Sequence, residues 1–358
     1  LEIEARIMLR RQTGIVGLDL GSHSVKVVQL TRAKTGWKLV NLGLAILPPG
    51  AVVEGRVEQP ERVAETAAKL VSHLKTKEKR VASSIAGYEV MIKKIELPSM
   101  SEQELESRLK EQLGQYVPYQ LEEVNVDYEI LGVARDKPNA MDVLLVAAKK
   151  ESVNDYVDLI RLAGLEPAVI DVDFFALSNA FEVTYGVNLE ENVALVDIGA
   201  SKTGMTVLQG GAPVFTRDLP MGGNEITESI ARGLSVPWDQ AERLKLGEKA
   251  GEAAAGELEK IFVEAVRGWA GGLRRALDFY YTNYPDLAIH RILLSGGSAR
   301  LPGLPEVLRL ETKVPTEVFN PLVRLDYDAD QFDPAYLEYI GPQMAICLGL
   351  GLRSDENP

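Results

Sequence analysis

The chain of 358 residues holds a single cysteine, Cys347, inside the apolar run MAICLGLGL. One cysteine excludes an intramolecular disulfide and the stapled extracellular scaffolds that depend on one; the expectation is a reducing compartment, with Cys347 a small buried hydrophobe. Histidine is nearly as scarce. His23, His73 and His290 stand far apart with no H-x-x-x-H pair, which excludes the spacing of a zinc hydrolase. No apolar run approaches the roughly 18 to 20 residues of a membrane span. The opening LEIEARIMLRRQ carries charge where a signal peptide needs an apolar stretch, and Met8 reads as a native start behind seven added residues. The C-terminal LRSDENP is short and polar, so no amphipathic anchor is expected after the last helix. Positive charge is in deficit, with 39 Lys and Arg against 52 Asp and Glu and a net charge of −13. Such a surface repels nucleic acid and anionic membrane, so any phosphate this protein holds must be held locally.

What is present is ordinary globular material, 46% apolar and 25% charged, long enough for two domains. The most informative stretch is GIVGLDLGSHSVKVVQL, Gly14 to Leu30. Two dense apolar runs read as buried strands of a hairpin, and the first ends on a carboxylate, Asp19. Gly21, Ser22, His23 and Ser24 form a small-residue turn whose N–H groups are suited to an anion. A phosphate there brings a metal ion that a strand-end carboxylate can hold directly or through water, with Lys26 reaching the same phosphates. An ordinary hairpin with a capping aspartate is the competing reading of this segment.

Further along, GWKLVNLGLAILPPG reads as a third strand, residues 59–75 as a helix on Val63, Ala67, Leu70, Val71 and Leu74, and RVASSIAG as another strand. Residues 84–166 read as an inserted α+β unit: strand VMIKKIEL, helix from Ser101 to Tyr116, strands VNVDYEIL and MDVLLVAAKK, and helix ESVNDYVDLIRLAG. The S-E-Q-E start of the first helix is a capping box, and Leu105, Leu109, Leu113 and Tyr116 share one face, for packing on its own sheet or against a partner. After EPAVIDVD and the helix FFALSNAFEVTYG comes NVALVDIGASKTGMTVLQGG, which repeats the opening hairpin 178 positions on, with Asp197 in the place of Asp19. Two helical stretches, 241–256 and 257–284, then precede RILLSGGSARLPG, a strand running into Gly296, Gly297 and Ser298, and the chain closes on the helix IGPQMAICLGLGL.

A D-x-G hairpin, a second one halfway along and a strand entering GGSARLPG, in that order, resemble the actin-like ATPase superfamily, which includes actin, heat-shock ATPase domains, sugar kinases and FtsA. The resemblance implies a two-domain, ribonuclease H-like α/β fold closing on ATP and Mg²⁺, with an FtsA-type 1C subdomain at 84–166. The remaining expected boundaries are domain 1A at 1–83 and 167–190, domain 2 at 191–339 with subdomain 2B near 224–268, and a helix at 340–358 returning to 1A. It further implies that GLDLGSHSVK is the first phosphate loop and DIGASKT the second, with Gly199, Ala200, Ser201, Lys202 and Thr203 at the nucleotide and Asp197 facing Asp19 across the metal. Gly296, Gly297 and Ser298 resemble the adenosine loop, with Arg300 beside the base; Gly223 falls where relatives approach the ribose, and Glu242 and Lys245 where they touch ribose and base.

Asp173 matches the residue that orients the attacking water, or else is simply the N-cap of its helix; Ala200 stands where actin is acidic, so slow hydrolysis at most is implied. Among families with the insert, IKKIELPSMSEQELESRLKEQLGQYVPY and VALVDIGASKTGMTVLQGG resemble the PilM family of type IV pilus assembly platforms. That implies a cytoplasmic scaffold at the bacterial inner membrane, bound to the N-terminal peptide of a PilN-like bitopic protein in a groove beside the 1C unit. Contacts with other platform proteins and self-association are further possibilities. The alternatives are an FtsA-like filament-forming cell-division ATPase and a small-molecule kinase.

Overall fold

A computed structural model describes residues 15–353, apart from 54, 88–89 and 135–136. The Met8 start and the last five residues lie outside the described residues. Strand β1 (Val16–Leu20) is buried at every position and pairs antiparallel with β2 (Ser24–Arg32), which pairs with β3 (Trp37–Ile46). A small hairpin, β4 (Val52–Val53) and β5 (Arg56–Val57), leads to α1 (Pro60–His73), which opens on proline where the missing N–H breaks no helix bond. Val63, Ala67, Leu70 and Val71 of α1 recur at helical spacing and pack on the sheet, to which β6 (Arg80–Ile85) adds in parallel beside β1.

Next, β7 (Val90–Pro98), β8 (Val124–Val133) and β9 (Ala140–Lys149) form a separate antiparallel sheet in the order β7-β9-β8, with α2 (Glu102–Gln112) between β7 and β8 in sequence. The capping box is formed: the Glu104 N–H donates to Ser101 Oγ, and the Ser101 N–H donates to the Glu104 carboxylate at 2.8 Å. Leu105 and Leu109 are buried among Ile95, Leu97, Val143 and Leu145, so α2 spends its apolar face on its own sheet. The α-helix stops at Gln112, before the expected Tyr116, because Gly114 and the coming Pro118 loosen it into a 3₁₀ turn at Leu113–Gln115. Helix α3 (Lys150–Leu162), read as the last element of the insert, instead buries Tyr156, Leu159 and Ile160 in the core that α1 shares with the first sheet. The parallel strand β10 (Glu166–Val172) completes that sheet as β10-β6-β1-β2-β3, and α4 (Asp173–Tyr185) follows directly.

The second half repeats the topology. Strands β11 (Asn192–Ile198), β12 (Thr203–Gln209) and β13 (Ala212–Leu219) form the antiparallel part. Helices α5 (Gly223–Leu234), α6 (Trp238–Lys245) and α7 (Glu252–Asn283) cover it before β14 (Arg291–Ser295) enters parallel to β11. After α8 (Leu304–Thr312), β15 (Thr316–Val318) closes the order β13-β12-β11-β14-β15. The match extends to register. Asp19 stands opposite Lys26 and Asp197 opposite Gly204, and the third strand of each half is bulged at the same step, Gln29/Leu30 and Val207/Leu208. The boundary between α6 and α7 differs from the expected Gly256, which lies inside α7; Gly247 adopts φ +101°, and this left-handed turn ends the shorter helix early.

The chain ends with α9 (Pro334–Ile340), a 3₁₀ turn and α10 (Ala345–Gly351), whose seven residues are all buried against β1 and α4. Two glycines permit that approach: a β-carbon at Gly17 would collide with the Cys347 carbonyl, and one at Gly349 with the Ala176 carbonyl. Among the described residues no helix is long and apolar enough to cross a membrane.

Candidate functional site

The two repeated hairpins open into one cavity of about 340 Å³. Asp19, Gly21, Ser22, His23, Ser24 and Lys26 line it from the first half, with Asp173 at the start of α4. From the second half come Asp197, Gly199, Ala200, Ser201 and Lys202, then Glu242 and Lys245 of α6, and Gly296, Gly297, Ser298 and Arg300 after β14. Residues drawn from across the whole chain by sequence pattern thus meet at one place. Thr203 and Gly223 do not line the cavity. Strand alternation turns the Thr203 hydroxyl away, where it donates to the Met221 carbonyl at 2.8 Å. Gly223 sits behind the loops: its N–H donates to the Gly199 carbonyl at 2.9 Å, and a β-carbon there would strike Ser298 Oγ.

Both turns close in the same way, the Gly21 N–H on the Ser24 carbonyl at 3.1 Å and the Gly199 N–H on the Lys202 carbonyl at 2.9 Å. These two amides are therefore engaged in the turn itself and are not offered to an anion, which narrows the expected nests to the residues between. The tips meet, with Ser22 Oγ 2.7 Å from Ser201 Oγ. Asp19 accepts from Lys26 at 2.7 Å, and Asp197 accepts from the Ser295 hydroxyl of the neighbouring parallel strand at 2.9 Å. Gly296 turns away at φ +88°, packed so tightly on Ile198 that no side chain fits.

Asp173 is the first helical residue of α4, after the N-cap Val172, and caps no amide. Its carboxylate accepts from Ser84 Oγ at 2.6 Å and faces Lys202 at 3.6 Å. Burial pushes its pKa up to about 6 against the pull of Lys202, with the Asp19 and Asp197 charges adding to the rise. Burial also raises Asp197. Burial alone would depress Lys26 and Lys202, but the carboxylates beside them outweigh it and hold both above the usual lysine value. On the opposite wall Glu242 pairs with Lys245 at 2.8 Å and accepts from Thr227 at 2.6 Å. Burial lowers Lys245, and burial likewise lowers His23.

Sequence reading missed several lining residues. Asp218 stands opposite Gly204 on β13 and bonds Lys202 at 3.4 Å, and counting the β12–β13 ladder outward from its turn would have located it. Tyr339 lies under the Arg300 guanidinium, 3.7 Å from its ring centroid, and its carbonyl accepts from Arg300. No sequence signal links those two.

The floor of the cavity carries four aspartates (Asp19, Asp173, Asp197, Asp218) against two lysines (Lys26, Lys202). Among the described residues no group of three or more His, Cys, Asp or Glu is arranged as a complete metal cage. The donors present fit a hard cation that takes one or two carboxylates and fills its shell with phosphate oxygens and water, which is the habit of Mg²⁺.

Two sheets of one topology that share this cavity make the fold that of the actin-like ATPases. The family described as type IV pilus assembly protein PilM matches residues 17–355, and the chain belongs to that family. A solved structure titled PilM-PilN type IV pilus biogenesis complex is 28% identical, covers 97% of this chain and 100% of that one, and superposes with a TM-score of 0.84. MreB 5 of Spiroplasma citri bound to AMPPNP shares the fold alone, at 13% identity, 94% coverage of each chain and a TM-score of 0.50. The cell division protein FtsA of Pseudomonas aeruginosa is 30% identical over 186 residues, 46% of this chain; the match spans only 42% of that relative's length.

Proposed function

We propose that this protein is a nucleotide-dependent scaffold of the type IV pilus assembly platform. It holds ATP with Mg²⁺ between its halves and the N-terminal cytoplasmic peptide of a PilN-like membrane protein on its first half. The observation that carries this reading is the meeting of two register-matched D-x-G turns across one cavity. The PilN part rests on the 28% identical complex, whose title names that partner. Contact with the inner membrane is then made through the partner. The two sheets are read as the two domains, and the unit at β7–β9 with α2 as the 1C subdomain; α3, expected within the 84–166 insert, is assigned to the first domain instead.

Asp19 and Asp197 would hold the metal, through water or directly, and the bound metal would offset charge between the outer phosphates. With carboxylates in excess on the floor, a bare triphosphate is repelled, so nucleotide affinity depends on the cation. Ser22, Ser24, Ser201 and Lys26 face the phosphates, Glu242 and Lys245 the ribose, and Arg300 stacked on Tyr339 the base. Asp173 orients water; its carboxylate is held by Ser84 and Lys202, and Ala200 supplies no second one. Turnover on this reading is slow.

Two titrations test it. Asp19→Asn keeps the shape of the strand end and should weaken Mg-ATP binding at least tenfold; unchanged affinity removes Asp19 from the site. A PilN-like N-terminal peptide should bind the nucleotide-free and Mg-ATP-loaded protein with different affinities, since a ligand shifts a conformation only through such a difference. Equal affinities would leave a scaffold that takes no instruction from nucleotide.

A further inference from the structure

The hairpins carry one lysine each, but at different places in the ladder. In the first, Lys26 stands opposite Asp19 and pairs with it. In the second, the matching position is Gly204, and the lysine has moved to Lys202, where the first hairpin has Ser24. From the turn, Lys202 reaches two carboxylates at once: Asp218 of its own half at 3.4 Å and Asp173 of the other half at 3.6 Å. Asp218 lies across the ladder from Gly204, and the residue across from Lys26 is the apolar Leu44. The topology therefore accepts an apolar side chain there, and the sheet does not require the carboxylate. Asp218 is mostly buried, lines the cavity and faces the one ammonium that the second turn supplies.

We infer that Asp218 is a positioning residue for Lys202, and that through it Asp218 sets how strongly the cleft distinguishes a nucleoside triphosphate from a diphosphate. This rests on the nucleotide reading above. An ammonium shared between two carboxylates is electrostatically satisfied and has little left to give a third anion. With the Asp218 charge removed, Lys202 keeps only Asp173 and turns more readily to the outermost phosphate, which only the triphosphate has. The inner phosphates are served by the first hairpin and gain little.

The test is a double-mutant cycle read by calorimetric binding of Mg-AMPPNP and Mg-ADP to the full chain. Asp218→Asn should tighten Mg-AMPPNP about fivefold, within the range of measured couplings between contacting groups, and leave Mg-ADP within about twofold. In the Lys202→Met background the same change should have no effect, and Asp218→Glu should restore the wild-type ratio. Equal tightening of both nucleotides, or an undiminished effect without Lys202, would make Asp218 a bare negative charge and overturn the inference. So would an unchanged ratio in Asp218→Asn. If the wild-type chain binds neither nucleotide, the nucleotide reading falls and takes this inference with it; a wild type that binds both separates the two failures.

Discussion

Ser22 and Ser201, 179 positions apart, bring their hydroxyl oxygens within 2.7 Å and tie the turn of one half to the turn of the other. A phosphate entering between the turns must part them. Ser201→Ala removes the tie without disturbing either backbone turn. It should lower the unfolding free energy of the nucleotide-free protein by about 1 kcal/mol, the net worth of a partly exposed hydrogen bond, as read by thermal or urea melting. No loss would mean water replaces the contact fully.

Asp173 makes a pH prediction whose sign is opposite to that of a carboxylate whose ion pair outweighs its burial. Its folded value is raised to about 6 from an unfolded 3.8, so the folded state holds the proton longer. Stability should therefore fall as pH rises from about 4 to 6, and stay lower above it. Full burial would make the loss about 3 kcal/mol; the side chain keeps 22% exposure, so the effect should be smaller. Asp173→Asn, melted in the nucleotide-free state, should flatten that slope and be the more stable protein at pH 7.5. A steeper slope, or destabilisation at pH 7.5, would show that the charge is favourable where it sits.

Gly349→Ala puts a methyl group into the Ala176 carbonyl of α4 and must push α10 away from α4. Overpacking of a tight core costs roughly 1 to 3 kcal/mol. The melting midpoint should drop accordingly, and Gly114→Ala, with open space around it, should not lower it.

Much of this architecture was legible from residues alone because its signals are local. The repeated D-x-G turns, the capping box at Ser101 and the apolar faces of α1 and α2 each depend on neighbours within a few positions. What sequence did not reveal depends on packing at long range. α3 follows the inserted sheet in the chain, yet its Tyr156 and Ile160 belong to the first core, a choice made by α1 some ninety residues earlier. Tyr339 carries no motif, and only the return of α9 brings it to the cleft; Asp218 carries none either, and only a count along the β12–β13 ladder from its turn would have placed it there. Thr203 belongs to a recognisable motif, but the pleat turns its side chain out of the cavity.

The three-stranded unit has a core of its own, so damage there should stay there. Leu105→Ala deletes a fully buried side chain from that core and should cost about 2 to 5 kcal/mol locally. Hydrogen exchange should show β7, β8 and β9 losing protection while β1, β2 and β6 keep theirs. Uniform loss across both sheets would mean the unit and the first sheet unfold as one.

The most direct measurement is ATP binding and turnover by the wild-type chain, with and without Mg²⁺, in the same sample. A nucleotide-dependent scaffold predicts binding that requires the metal and turnover far below the ~10 per second of a typical enzyme. No binding at millimolar Mg-ATP, or rapid turnover with transfer of phosphate to an added metabolite, would contradict it.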